Sequence, residues 1–168
     1  PNIDDIGDWL ECKNTHIFSF GKAFRPVTLY LKFNVEHFYS NNEYLFDKNL
    51  PEKLFDTLKK YYRGRPALVF CGTRKGVVSA ATQLQQDCGN LFIKSNNQRQ
   101  ILLDASQDIE NSALKSSIKR GVGFHHAGLS VGDRRRVENL FIDSTLQVIV
   151  CTTTLAMGVN LPAHLVIV

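Results

Sequence analysis

The sequence predicts an α/β fold in which a parallel β-sheet carries helices on both faces. Short apolar, β-branched runs recur at 67–71, 122–125, 146–151 and 164–168 without polar alternation, as in strands buried on both sides. Stretches of helical periodicity separate most of them, the spacing of right-handed parallel crossovers. Polar turns follow three of the runs, at the strand ends where open α/β sheets bind ligands.

Taken in order, Ile3, Ile6, Trp9 and Leu10 with early acids Asp4, Asp5 and Asp8 predict a short amphipathic helix whose acids complement its N-terminal dipole. His16 to Phe20 is a short apolar run. Val27, Leu29, Leu31 and Phe33 alternate with Thr28, Tyr30 and Lys32, and period two predicts a half-buried strand over 24–33. Residues 34–49, with Asn41-Asn42, read as a polar irregular connection. From Pro51 the pattern turns helical through Leu54, Phe55, Leu58, Tyr61 and Tyr62, with Pro51 in the first turn and Gly64 beyond the end. After the strand Ala67 to Cys71, the turn Gly72-Thr73-Arg74-Lys75-Gly76 leads into a helix bearing Val77, Val78, Ala81 and Leu84. Residues 89–120 read as helical pieces with Ile101, Leu102, Ile109, Leu114 and Ile118 as core contacts. Val122 to His125 is the next strand; Ser130 and Asp133 then form a capping pattern that opens a helix through Phe141. Two further strands, Leu146 to Cys151 and His164 to Val168, enclose CTTTLAMGVNLPA.

Composition narrows the function. The 168 residues, 43% hydrophobic, suffice for one core, and 20 Lys plus Arg against 16 Asp plus Glu give a net charge of +4, which permits an anionic partner without requiring one. Apolar runs fall short of the roughly 20 residues that span a bilayer, and no secretory leader is apparent, so no membrane partner is expected. Cys12, Cys71, Cys88 and Cys151 form no C-x-x-C pair and read as reduced thiols in an intracellular compartment. Both ends read as cut, and the expectation is one compact domain or one large piece of a bigger protein.

The chemistry is expected at three turns, 72–76, 126–129 and 152–158, which a parallel sheet brings to one edge. Thr73, Arg74 and Lys75 would sit at a helix N-terminus, where hydroxyl, cations and backbone amides can hold a phosphodiester; a solvated basic turn is the plain alternative. Thr152, Thr153 and Thr154 offer hydroxyls, Gly158 a close backbone approach, and Asn160 an amide that reads a hydroxyl. His125 and His126, adjacent on a strand, point to opposite faces, so no metal site is expected. Arg134, Arg135 and Arg136 spread around a helix at about 100 degrees apiece and form no single patch. The chain has no G-x-x-x-x-G-K-S/T loop and no acidic pair after an apolar strand, so no complete catalytic centre is expected.

The turn after 67–71, GVGFHHAGLS at 121–130 and CTTTLAMGVNLPAHLVIV at 151–168 resemble successive motifs of the second RecA-like domain of superfamily 2 helicases, specifically the Ski-like group. Pro1-Asn2 is similar to the end of the S-A-T-x-P-N motif closing the first RecA-like domain, and Phe24-Arg25-Pro26-Val27 to the R-P-V strand after it. The wording of 70–76 and 155–164 most resembles the meiotic crossover DNA helicases. The resemblance implies a RecA-like parallel sheet truncated at both ends, with residues 1–34 as tail and connecting strand and 35–168 as the incomplete second domain.

It also implies an ATP-dependent 3′ to 5′ DNA helicase acting in meiotic recombination in the nucleus. Its partners would be single-stranded or branched DNA and the first RecA-like domain of the same chain. Thr73, Arg74, His126, Gly128 and Thr152 would contact the strand's sugar-phosphate backbone; Gly158 and Asn160 would face ATP. The Mg2+ ligands, lysine loop and arginine finger would lie outside these residues, so the piece alone is expected to be inactive. An RNA helicase of the same group and a non-catalytic RecA-like binding module are the alternatives.

Overall fold

The computed structural model describes residues 2–13, 16–35, 43–157 and 160–168. The chain forms two units, 1–37 and 38–168. In the first, helix α1 (Ile3–Trp9) is capped by Asn2, whose side chain accepts the Asp4 N–H, with Asp4 and Asp5 in the first turn. A 3-10 turn covers Lys22–Phe24. The predicted strand over 24–33 does not form: residues 25–35 carry no strand, and Val27, Leu29, Leu31 and Phe33 are exposed. Alternation marks a surface able to pair, but strand geometry needs a neighbour for its backbone groups.

The second unit holds the sheet. Helix α2 (Glu43–Tyr61) begins well before the expected start, and Pro51 lies inside it. The proline removes one backbone donor from the helical ladder, yet Leu54 and Leu58 beyond it are buried and fix the last turns. Strand β1 (Ala67–Phe70) leads to α3 (Arg74–Asp87); α4 (Asn96–Gln107) and α5 (Ser112–Ile118) start on Ser95 and Asn111 caps. Then follow β2 (Val122–His125), α6 (Val131–Ile142), β3 (Val148–Cys151), a 3-10 turn Thr153–Met157 and β4 (Leu165–Ile167).

The strands run parallel in the order β2-β3-β1-β4. Every residue of β2 and β3 is buried, as two covered faces require. Helices α3, α5 and α6 pack on β2, α3 and α6 also pack on β3, and α2 lies on α3. Leu102, Ile109, Leu114 and Ile118 are buried as expected, whereas Ile101 is 41% exposed. Only one of two consecutive apolar residues on a helix can face the core, and Leu102 takes that place. Cys88 and Cys151 are buried, Cys12 and Cys71 half-buried, and none of the four is in a disulfide. Among the described residues, no helix is long and apolar enough to cross a membrane.

Candidate nucleic-acid interface

Register aligns Phe70 with Cys151 and Cys151 with His125, so the three strands that precede the polar turns end level. Neighbouring strands lie about 4.8 Å apart, which puts all three turns within about 10 Å along one edge. This is the shared edge the sequence predicts.

At the end of β1, Thr73 is extended (φ −129, ψ 153) and caps α3, its Oγ1 accepting the Gly76 N–H at 3.0 Å. Its oxygen is engaged within the turn. Arg74 and Lys75 open the helix, and no acid lies in its first turn. Cations at a helix N-terminus oppose the dipole; a bound anion reverses that penalty. Arg74 is exposed.

At the end of β2, the two histidines diverge. His126 is 8% exposed, its ring stacked on Phe124 with centroids 5.7 Å apart. Its Nδ1 accepts the Gly128 N–H at 3.1 Å, which assigns the ring proton to Nε2. Burial lowers the His126 pKa, and Arg74 and then His125 lower it further, so the ring is neutral at pH 7. A Cβ placed on Gly128 would stand 3.1 Å from His126 Nδ1 and 3.7 Å from Arg74 Nη1. The Arg74 guanidinium therefore lies beside Gly128 on the same side as the His126 ring, joining the first turn to the second.

His125 faces α6 instead. It lies 2.7 Å from Glu138 Oε1 through Nε2, and its buried Nδ1 has no partner. Burial is the largest influence and lowers its pKa, Glu138 opposes it, Arg134 adds a smaller lowering, and the net direction is down. The contact is thus a neutral imidazole N–H donating to a carboxylate. Sequence reasoning passed over Glu138, whose signal was a single acid beside the apolar face Val137 and Phe141. Ser130 does cap α6 by accepting the Asp133 N–H at 3.1 Å. The Asp133 carboxylate, however, accepts the backbone N–H groups of Glu110 and Asn111, each at 3.0 Å. Of the arginine triplet, Arg136 pairs with Asp108 at 3.0 Å and Arg135 is exposed.

At the end of β3, the Thr152 N–H reaches the His125 carbonyl at 3.3 Å and the Leu155 N–H reaches the Thr152 carbonyl at 3.1 Å. Thr152 and Thr154 hydroxyls lie 2.9 Å apart. Thr152 is half-buried and Thr154 exposed, which leaves hydroxyl valence facing solvent between the β1 and β2 turns.

The nucleotide-facing pair stands apart. Gly158 lies outside the described residues. Asn160 is exposed and lines a cavity of about 180 Å³ with Leu68, Phe70, Leu155, Ala156 and Leu161. Val69, Val150 and Phe124 share a register row, and residues in register project from one face. Leu68 and Phe70 therefore project from the other face than the Phe124–His126 stack. The structure brings Arg74, His126 and Gly128 together with Thr73 and Thr152 alongside, and separates Asn160 from them across the sheet.

The model of the helicase conserved C-terminal domain matches residues 49–168. A protein of Arabidopsis thaliana named "ATP-dependent DNA helicase homolog MER3" is 42% identical over 173 residues, covering 100% of this chain and 15% of its own length. One from Xenopus tropicalis, "Probable ATP-dependent DNA helicase HFM1", is likewise 42% identical over all of this chain and 13% of its own. The Saccharomyces cerevisiae "RQC trigger complex helicase SLH1" is 33% identical over 99% of this chain and 9% of its own. The chain thus spans about one seventh or less of these curated relatives.

Proposed function

Because this chain belongs to the helicase conserved C-terminal domain family, with a RecA-like parallel sheet, we propose that it is the second motor domain of an ATP-dependent DNA helicase of the meiotic crossover group, acting in the nucleus. The observation that carries this reading is the rim itself. Arg74 lies beside Gly128 while Thr73 and Thr152 follow the ends of neighbouring strands, an arrangement suited to consecutive phosphates of one strand. Residues 1–34 act as the tail of the preceding domain and the segment connecting it to this one.

ATP enters from the opposite face. The Asn160 amide both donates and accepts, as reading of nucleoside hydroxyls requires, and apolar walls at Leu68, Phe70 and Leu161 suit a base or sugar. Among the described residues no charged one lines that cavity, and the triphosphate is held by the first RecA-like domain. No group of three or more His, Cys, Asp or Glu able to hold a metal lies among the described residues, and Mg2+ is assigned to that domain as well. ATP supplies the closing energy: the domains approach when it binds and separate after hydrolysis, so grips alternate and the strand advances 3′ to 5′.

Unwinding of matched forked DNA and RNA duplexes with 3′ or 5′ tails, by the complete protein, tests this. ATP-dependent separation of 3′-tailed DNA is the expected result. Preference for RNA would move the substrate to the RNA helicases of the group, and no ATP turnover with any strand would leave a binding module.

A further inference from the structure

His126 sits in the proposed strand path, but its geometry fits a different task from touching the strand. The residue is 8% exposed and its ring lies on Phe124, itself 1% exposed, so the imidazole has little room to swing outward. Its one protein hydrogen bond in the turn runs backward: Nδ1 holds the Gly128 N–H at 3.1 Å. The Leu129 N–H returns to the His126 carbonyl at 3.1 Å, closing the turn over the ring. Arg74 Nη1 comes within 3.7 Å of the position a Gly128 Cβ would take. The ring and the guanidinium thus converge on the same side of Gly128, both within 4 Å of one point beside its Cα.

Resting on the strand-gripping function proposed above, we propose that His126 is a positioning residue. Through Nδ1 it fixes the Gly128 backbone beside Arg74, so that guanidinium and turn present one preset phosphate seat. The acceptor at Nδ1 performs this, and the donor at Nε2 is dispensable. A neutral ring is required, because a proton on Nδ1 would turn the acceptor into a second donor facing the Gly128 N–H. Burial chiefly, then Arg74 from α3 and His125 from β2, disfavour that proton.

Two substitutions separate the two nitrogens. The side-chain amide of asparagine can place an oxygen acceptor near the Nδ1 position, whereas glutamine reaches the Nε2 position and leaves Nδ1 unreplaced. Both lose the ring's stacking on Phe124, so a difference between them reports the acceptor and not the fold. The complete protein carrying H126N or H126Q is titrated with fluorescent single-stranded DNA across a salt series, beside wild type and Arg74→Ala. H126Q is expected to bind roughly 2- to 10-fold more weakly, the worth of one hydrogen bond, and H126N to stay within about 2-fold of wild type. Neither changes the salt slope, since no charge is removed. The reverse order would mean that Nε2 touches the strand; equal losses or no loss in either would equally overturn the assignment. If Arg74→Ala leaves affinity and slope untouched, the strand path itself is wrong and the proposal falls with it. If Arg74 matters and the His126 pair behaves otherwise than expected, the His126 assignment alone falls.

Discussion

Replacement of Arg74 by alanine isolates a single charge. Its guanidinium is exposed at the mouth of α3, and no ion pair to a carboxylate holds it among the described residues. Removing it therefore removes one uncompensated cation and orphans no buried acid. For a single strand, each phosphate neutralised contributes about 0.7 to the slope of log affinity against log salt. Raising salt from about 50 to 200 mM should then weaken wild type about 2.6-fold more than the variant. Fluorescence anisotropy with a short labelled oligonucleotide, on the complete protein, reads both affinity and slope. Arg135→Ala serves as the control: that side chain is equally exposed but lines a separate cavity with Ala105 and Asn139. Parallel slopes for wild type and Arg74→Ala would refute the phosphate seat at this rim, and a drop shared by Arg135→Ala would reduce the effect to net charge.

Three further outcomes follow from the same geometry. Asp133 is 2% exposed and holds two backbone N–H groups, so Asp133→Ala should destabilise the chain by about 2–5 kcal/mol, lowering the melting temperature by roughly 4–20 °C; a melt unchanged within a degree would show the tie to be idle. His125 carries a pKa below its ordinary value, so the unfolded chain takes up the proton first. Its contribution is complete above about pH 6.5 and lost as pH falls from there toward the folded value; denaturation midpoints against pH should show this, and His125→Gln should flatten it. Asn160→Ala should raise the Michaelis constant for ATP in the complete protein and spare strand affinity, because the sheet separates Asn160 from Arg74; loss of strand binding alone would place Asn160 on the wrong ligand.

The strands were legible because burial on both faces leaves no room for polar residues. Ala67–Phe70, Val122–His125 and Val148–Cys151 are uniformly apolar save for His125, and their length and bounding turns set them apart from helices. Helix starts were less visible. The extension of α2 back to Glu43 was hidden because Pro51 has the local chemistry of a first turn and only the ladder around it shows otherwise. The alternating run 24–33 was misread for the complementary reason: alternation encodes a pairing surface, and pairing is decided by what lies beside it.

The candidate site was legible to the extent that chemistry follows topology. Turns after parallel strands share an edge whatever their residues, so Thr73, Arg74, His126, Gly128 and Thr152 could be grouped before any distance was known. Orientation could not be grouped in that way. A histidine in a polar turn reads as a ligand contact, yet the 8% exposure of His126 and the engagement of its Nδ1 depend on Phe124 and Gly128 folding around it. Asp133 shows the same limit: its spacing from Ser130 spells a reciprocal cap, but its carboxylate crosses to Glu110 and Asn111, partners more than twenty residues away. Spacing in sequence fixes where a functional group is delivered; which atom it offers to a ligand is settled by the neighbours that claim its other atoms first.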